Sequence, residues 1–317
     1  MKRISILCCT DDKYAPYYGI MLTSLFGTNK EETFDIYILS SGLGKEIIHK
    51  FEKLTSKYHA DIHFIEVDAS KLDFCPIREG DHVSLAAYYR ILAPLVLPDN
   101  LKKVLYLDGD IIINGAIHEL WNTDLEGFAI GAIIDEAYHD KEKYDRLKID
   151  HKFPYINSGV LLINLDYWRK HDIVKRCLEY INNMQDVLLH HDQDTLNVVL
   201  HDEIKLLPLT FNYQYGFVIN FLFNQLGDDV KEEVMKIRYN PVVVHFSGPY
   251  KPWQRRSRYP YAPLFLYYKN HSLWKNIPLE GKFTIREDIH YYFNKLIWWL
   301  HIKKEFNSYI VERQYKK

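Results

Sequence analysis

Val104-Leu105-Tyr106-Leu107-Asp108-Gly109-Asp110-Ile111-Ile112-Ile113 is the stretch on which the reading of this chain turns. Lys103–Leu107 is apolar enough for an inner strand, and it runs straight into an acidic turn. Two carboxylates one residue apart, at the carboxyl end of a buried strand, converge on the crevice where open α/β sheets bind ligands. Gly109 between them permits a tight turn. Paired carboxylates with no Lys or Arg beside them repel each other, and a divalent cation relieves that repulsion. An isolated Asp-x-Asp is most simply a solvated turn. Here apolar residues flank it on both sides, which argues for burial.

Outward from this stretch, strand and helix signals alternate. Ile4–Cys9 is a short apolar run, followed by helical spacing over Tyr17–Phe26 that ends at Gly27. Phe34–Leu39 reads as a second strand and residues 45–58 as an amphipathic helix. Ile62–Val67 is a third strand, and Ser84 stands as N-cap of a helix over Leu85–Leu95. That order predicts a parallel sheet with right-handed crossovers. After the acidic turn, strands are expected at Ala129–Ile134, Val160–Ile163, Ile204–Leu207 and Val242–His245. Helices are expected at Tyr167–Asn183 and Gln193–Leu200. The pattern weakens after Trp253, and residues 290–317 read as a separate helical tail.

Composition narrows the function. The 317 residues, 47% hydrophobic and 26% charged, suit two average domains or one large α/β domain with an appendage. Lys+Arg 40 against Asp+Glu 42 gives a net charge of −2, so there is no global basic field for nucleic acid. Cys8, Cys9, Cys75 and Cys177 lack metal-site spacing and read as buried, reduced thiols of a cytosolic protein. Ile4–Cys9 imitates a signal peptide only until Thr10-Asp11-Asp12 ends it, and no apolar run reaches the ~18 residues of a membrane span. The chain is therefore expected in the cytoplasm, or at the cytoplasmic face of a membrane.

Three further clusters could carry chemistry. In Val242-Val243-Val244-His245-Phe246-Ser247-Gly248-Pro249-Tyr250-Lys251-Pro252-Trp253, a histidine ends an apolar strand and can face the crevice of Asp108 and Asp110. Imidazole beside two carboxylates is a plausible set for Mn²⁺. Gly248 permits close approach of backbone to a phosphate, and Lys251 supplies a point charge. Asn157-Ser158-Gly159-Val160-Leu161-Leu162-Ile163-Asn164 and His190-His191-Asp192-Gln193-Asp194 place amides and carboxylates beside a strand and a helix start. Asp192 and Asp194 alone would read as helix caps.

Taken in order, these segments resemble glycosyltransferase family 8, with the bacterial retaining α-galactosyl- and α-glucosyltransferases of lipopolysaccharide and related glycans as the nearest likeness. The resemblance covers residues 3 to about 253. It includes Cys9-Thr10-Asp11-Asp12-Lys13-Tyr14, Tyr88-Tyr89-Arg90 and Leu120-Trp121-Asn122-Thr123-Asp124-Leu125 besides the clusters above. It implies a GT-A fold with a mostly parallel sheet at 1–253, a C-terminal helical extension at 254–317, a UDP-sugar donor, a glycan or glycolipid acceptor, and Mn²⁺ or Mg²⁺. By the same resemblance, Asp108, Asp110 and His245 match the metal ligands. Cys9, Thr10 and Asp11 fall in the donor-binding opening, with Asp11 at uracil and Tyr14 against the base. Arg90, Asp135 and Asn157 match positions around the donor sugar, and Gly109, Gly248 and Lys251 complete the donor site, the last two at the diphosphate. Asp192 and Gln193 lie where the reacting carbon is expected. Lys13 departs from the family's Asn.

Two other readings fit fewer of these residues: a haloacid-dehalogenase-like phosphatase, with Gly227-Asp228-Asp229 as its later acidic motif, and a non-catalytic UDP-sugar-binding module. Galactose and glucose differ at one hydroxyl that sequence does not address. Tyr213, Tyr215, Phe217 and Trp253 are candidates for acceptor contact or for the core. In 290–317, six basic residues against two acidic ones and Trp298-Trp299 suit a helix on an anionic inner membrane surface. Nothing in the sequence sets the oligomeric state.

Overall fold

β1 (Ile4–Cys9) is buried along its whole length, as an inner parallel strand must be. Its alternate side chains divide between two cores. Ile4, Ile6 and Cys8 join the core that includes the helix Ala15–Thr28, while Leu7 and Cys9 join the one on the other face. The computed structural model describes residues 3–77, 84–222, 224–249, 251–255, 257 and 259–281. In it β1 pairs in parallel with β2 (Phe34–Ser40) and with β4 (Lys103–Leu107), and β2 pairs in parallel with β3 (Ala60–Glu66). β7 (Ile156–Asn164) lies antiparallel between β4 and β6 (Ile130–Ile134), and β8 (Ile204–Leu206) runs parallel to β6. The seven-stranded order is β3-β2-β1-β4-β7-β6-β8, with β7 alone reversed. The sheet is mostly parallel. Because β2 and β4 take opposite sides of β1, the carboxyl ends of β1 and β4 flank a topological switch point.

A smaller sheet completes the cleft, with β5 (Ile111–Ile113), β9 (Tyr213–Gln214) and β10 (Val243–His245) in the order β5-β10-β9. β10 is antiparallel to β5, and its register sets His245 opposite Ile111. The Phe246 N–H then donates to the Asp110 carbonyl at 2.9 Å. This pairing carries His245 to the acidic turn.

Several expected elements change shape. The helix expected over Leu85–Leu95 is a 3-10 segment, Leu85–Leu92, followed by a short α-turn, Ala93–Val96, and the Ser84 side chain caps nothing. Six of the eight residues in the 3-10 segment are buried, so packing overrides the α-helical period. The helix expected over Tyr167–Asn183 breaks into Leu165–Lys170 and Ile173–Asn183 at Asp172, whose φ is 50°. The helix expected from Gln193 begins at His191. The core continues past Trp253, since Tyr259, Tyr261, Leu264, Phe265 and Trp274 belong to the same core as Ile4 and Ile6. The tail at 290–317 lies outside the described residues.

Gly19 shows how tightly that later segment is seated. A Cβ at this position would lie 2.2 Å from the Trp274 ring, which is 3% exposed and packs 5.2 Å from Phe51. Alanine gains at most about 1 kcal/mol of helix propensity, whereas overpacking a filled core costs about 1–3 kcal/mol. The clash should win. Gly19→Ala is expected to lower the thermal midpoint, and Trp274→Leu in the same background to regain part of the loss; a raised midpoint in Gly19→Ala would show that the ring yields.

Candidate active site

At the end of β4, Asp108 and Asp110 meet His245. One ligand atom from each lies within 4.8 Å of the others, and among the described residues no other group of three such side chains gathers. His245 Nε2 is 3.4 Å from Asp110 Oδ1 and 3.8 Å from Asp108 Oδ2. Lys251 reaches back to donate from Nζ to Asp110 Oδ2 at 2.5 Å and to the Phe246 carbonyl at 2.9 Å. Burial alone would raise the Asp110 pKa, but the Lys251 ammonium and then His245 hold it well below the usual carboxylate range. Asp108 Oδ1 accepts from the Tyr106 hydroxyl at 2.5 Å and from Arg90 at 3.1 Å.

This donor set fits a divalent cation: two hard oxygen ligands and an imidazole nitrogen, facing one another in a buried pocket. Gly159 makes the room. A Cβ there would lie 2.3 Å from His245 Cε1 and 2.7 Å from Asp108 Oδ2. Gly109 is needed for space as well, because a Cβ would meet Tyr18 at 2.8 Å and Tyr14 at 3.1 Å. Its φ is not in the left-handed region, so the expected reason for this glycine is replaced by a packing one. Gly248 does adopt a positive φ, 81°, and has no heavy atom within 4 Å of a would-be Cβ. The residue is exposed.

Beyond the acidic turn lies a network of amides. Asp135 Oδ1 accepts from Lys143 Nζ at 2.9 Å and from the Ala137 N–H at 3.0 Å. Its Oδ2 accepts from Asn157 and Gln193, each at 3.2 Å. Burial opposes the Asp135 charge, yet Lys143 prevails and lowers its pKa. Gln193 is held at both ends: Oε1 accepts from the Ser158 N–H and Asn157, both at 3.1 Å, and Nε2 donates to Asp135 and the Tyr155 hydroxyl. Asp194, beside it, is buried against Arg146 and Tyr155 and accepts from the His190 N–H. It anchors the helix start.

Arg90 joins the two halves. Its guanidinium bonds Asp108 and the Ser158 carbonyl, and Nε lies 3.3 Å from Asp192 Oδ2. That N–H is donated to the Ala87 carbonyl, so Asp192 Oδ2 has a positive charge nearby but no hydrogen bond. Burial raises the Asp192 pKa even against Arg90. His191, immediately before it, holds a left-handed φ of 52°, a strained conformation of the kind that clusters at functional sites.

The structure thus gathers Asp108, Asp110, His245, Lys251, Arg90, Asp135, Asn157, Asp192 and Gln193 around one cleft. Cys9 and Thr10 are buried, and Cys9 packs in a core within reach of the charges on Arg90, Asp108 and Asp192. Asp11 caps the Tyr14 N–H at 2.8 Å, and Tyr14 sits edge-on to Trp253 at 5.8 Å. Tyr213, Phe217 and Trp253 are core residues, and Trp253 stacks on Tyr17 at 3.7 Å. All four cysteines are free and buried. Sequence reasoning missed Lys143, Asn212 and the crowding at Gly159. A glycine inside an apolar strand is itself a signal of close approach; the spacing of Lys143 from Asp135 carries none.

A cleft at the switch point of an α/β sheet, holding a carboxylate pair, an imidazole and an ammonium, suits a divalent cation and a phosphate-bearing ligand. Residues 5–257 match glycosyl transferase family 8. General stress protein A of Bacillus subtilis (strain 168) is 30% identical over 278 residues, spanning 86% of this chain and 95% of that protein. The lipopolysaccharide 1,3-galactosyltransferase of Salmonella typhimurium is 28% identical over 86% of this chain and 82% of its own length. The solved galactosyltransferase LgtC, in complex with donor and acceptor sugar analogs, superposes with a TM-score of 0.77 at 26% identity, covering 87% of this chain and 98% of that one. The chain belongs to glycosyl transferase family 8, has the family's GT-A-like fold and is a glycosyltransferase. The phosphatase reading falls with that assignment, and Asp228 and Asp229 open a helix with no strand leading into them.

The Asp192 carboxylate predicts a conflict between stability and activity. A carboxyl whose folded pKa is raised is ionised less readily in the fold than in the open chain, so its charge destabilises the native state at neutral pH. Asp192→Asn is therefore expected to raise the thermal midpoint while turnover collapses. The gain should be full above the raised folded pKa and vanish once pH falls below the ordinary value of 3.8. Melts across that range check it, and a destabilised Asp192→Asn at pH 7 would contradict it.

Proposed function

We propose that the protein is a retaining hexosyltransferase that moves galactose or glucose from a UDP-sugar to a hydroxyl of a lipopolysaccharide-type glycan or glycolipid, forming an α-linkage with Mn²⁺ in the site. The observation that carries this reading is the convergence of Asp108, Asp110 and His245 with Lys251 at the switch point. Asp108, Asp110 and His245 would hold the cation, which offsets the negative charge on UDP as the sugar–phosphate bond breaks. Gly248 and Lys251 bind the diphosphate, and Tyr14 and Asp11 lie at the base end. Asp135, Asn157 and Arg90 orient the sugar.

The two candidates at the reacting carbon differ in what they have free. Both lone pairs of the Gln193 oxygen are engaged by Ser158 and Asn157, so Gln193 acts as a fixed dipole of the sugar pocket. Asp192 has an oxygen without a hydrogen bond and supports a developing oxocarbenium charge. A held amide is a poor nucleophile, which favours front-face attack by the acceptor hydroxyl, with the departing phosphate oxygen taking its proton. The relatives named for lipopolysaccharide galactosyl and glucosyl transfer support the donor and acceptor classes. No helix among the described residues is long and apolar enough to cross a membrane; the basic, tryptophan-bearing sequence of 290–317 supports contact with an anionic membrane face.

With Mn²⁺ and UDP-galactose or UDP-glucose, the wild-type protein should release UDP slowly without acceptor and faster with it. Asp110→Ala and His245→Ala should each lose at least about 100-fold, more than the 10–100-fold typical of an outer partner. Full activity in EDTA with wild-type rates in both variants would sink the metal assignment. UDP binding without turnover on any acceptor would leave only a binding module.

A further inference from the structure

The geometry points to Asn212 as a positioning residue that fixes the tautomer of His245 and ties the metal end of the site to the sugar end. This rests on the reading of Asp108, Asp110 and His245 as a cation site. Asn212 is fully buried, 0% exposed, between the 3-10 turn Leu209–Phe211 and β9. Its Oδ1 lies 2.8 Å from His245 Nδ1, and its Nδ2 donates to Asn157 Oδ1 at 2.9 Å.

The orientation of these amides follows from groups that have no choice of role. The Gly159 N–H can only donate, and it meets one end of the Asn157 amide at 3.0 Å; that end is the oxygen. The ionised carboxylate of Asp135 can only accept, and it takes the other end. Asn157 Oδ1 must therefore receive the Asn212 NH₂, which turns Asn212 Oδ1 toward His245. An oxygen there requires a proton on Nδ1. With Nδ1 so committed, Nε2 is the nitrogen that would offer its lone pair to a cation held by Asp108 and Asp110, as a metal-ligating imidazole needs. The same amide reaches, through Asn157, both Asp135 and Gln193. Asn212 touches none of the reacting groups, and its effect is transmitted through His245 and Asn157.

Two substitutions separate these roles. Asn212→Ala removes both bonds. Asn212→Asp keeps an acceptor on His245 Nδ1 but sets an oxygen against Asn157 Oδ1. Mn²⁺ affinity, read from the loss of the free-ion EPR signal without nucleotide, should fall about 10–100-fold in Asn212→Ala and stay at or above wild type in Asn212→Asp. UDP-galactose or UDP-glucose hydrolysis at saturating Mn²⁺ should fall in both. In ¹⁵N-histidine-labelled protein with Mg²⁺, the resonance lost in His245→Ala should report an Nδ1–H tautomer in wild type and Asn212→Asp, and a mixed one in Asn212→Ala. If Asn212→Ala does not fold, the aspartate variant decides alone: weakened Mn²⁺ binding, a changed tautomer or unchanged turnover in it overturns the inference. Wild-type Mn²⁺ affinity in a folded Asn212→Ala overturns it as well. Failure of the wild-type protein itself to bind Mn²⁺ would instead overturn the cation site on which it rests.

Discussion

Two carboxylates held one residue apart at the buried end of a strand govern the rest of this molecule. At separations within the 4.8 Å seen among the ligand atoms, like charges repel by about 3–4 kcal/mol at an effective dielectric constant of about 20. A marginally stable fold tolerates that only with compensating charge. Arg90 supplies it to Asp108 from the 3-10 segment, and Lys251 supplies it to Asp110 from 141 residues further along the chain. The smaller sheet makes the second contact achievable, because pairing β10 to β5 fixes His245 opposite Ile111 and sets the following loop against the acidic turn.

The same charges tie the structure to its chemistry. Lys251 holds Oδ2 of Asp110 while His245 faces Oδ1, so a divalent cation at this site and the lysine would draw on the charge of one carboxylate. In the proposed donor complex a diphosphate would relieve this competition by giving the ammonium a second anion to bind. Around this centre nearly every buried polar atom is satisfied, from Lys143 on Asp135 to the Ser158 N–H on Gln193. Among the described residues of the cleft Asp192 Oδ2 is the exception, and an unbonded buried carboxylate oxygen is costly unless something else uses it.

Much of this was legible in the sequence because it is local. The strand–helix alternation over β1 to β3, the apolar run into Asp108-Gly109-Asp110 and the histidine closing a valine run each need only a window of a few residues. Direction was not legible for β7: a strand buried on both faces is apolar throughout, and nothing in Val160–Ile163 distinguishes parallel from antiparallel. Nor could spacing show that Gly159 makes room for His245, 86 positions away, or that Lys143 neutralises Asp135. Those facts belong to tertiary packing. Cys9 and Thr10 were placed by the family's linear motif, which falls at the end of β1 but does not say which face each side chain takes; strand alternation sets Cys9 in the core opposite Cys8. The broken helix at Asp172 has the same origin, since an amphipathic period survives a one-residue left-handed break.

The competition at Asp110 is the centre of this account, and Mn²⁺ binding to Lys251→Ala measures it most directly. Removing the ammonium leaves Asp110 with one counter-charge fewer. Titration followed by EPR should therefore give a higher Mn²⁺ affinity than wild type when no nucleotide is present, together with a smaller tightening on addition of UDP. An Mn²⁺ affinity that stays the same or falls in Lys251→Ala without nucleotide would contradict it, because Lys251 would then not be holding the carboxylate that the cation uses.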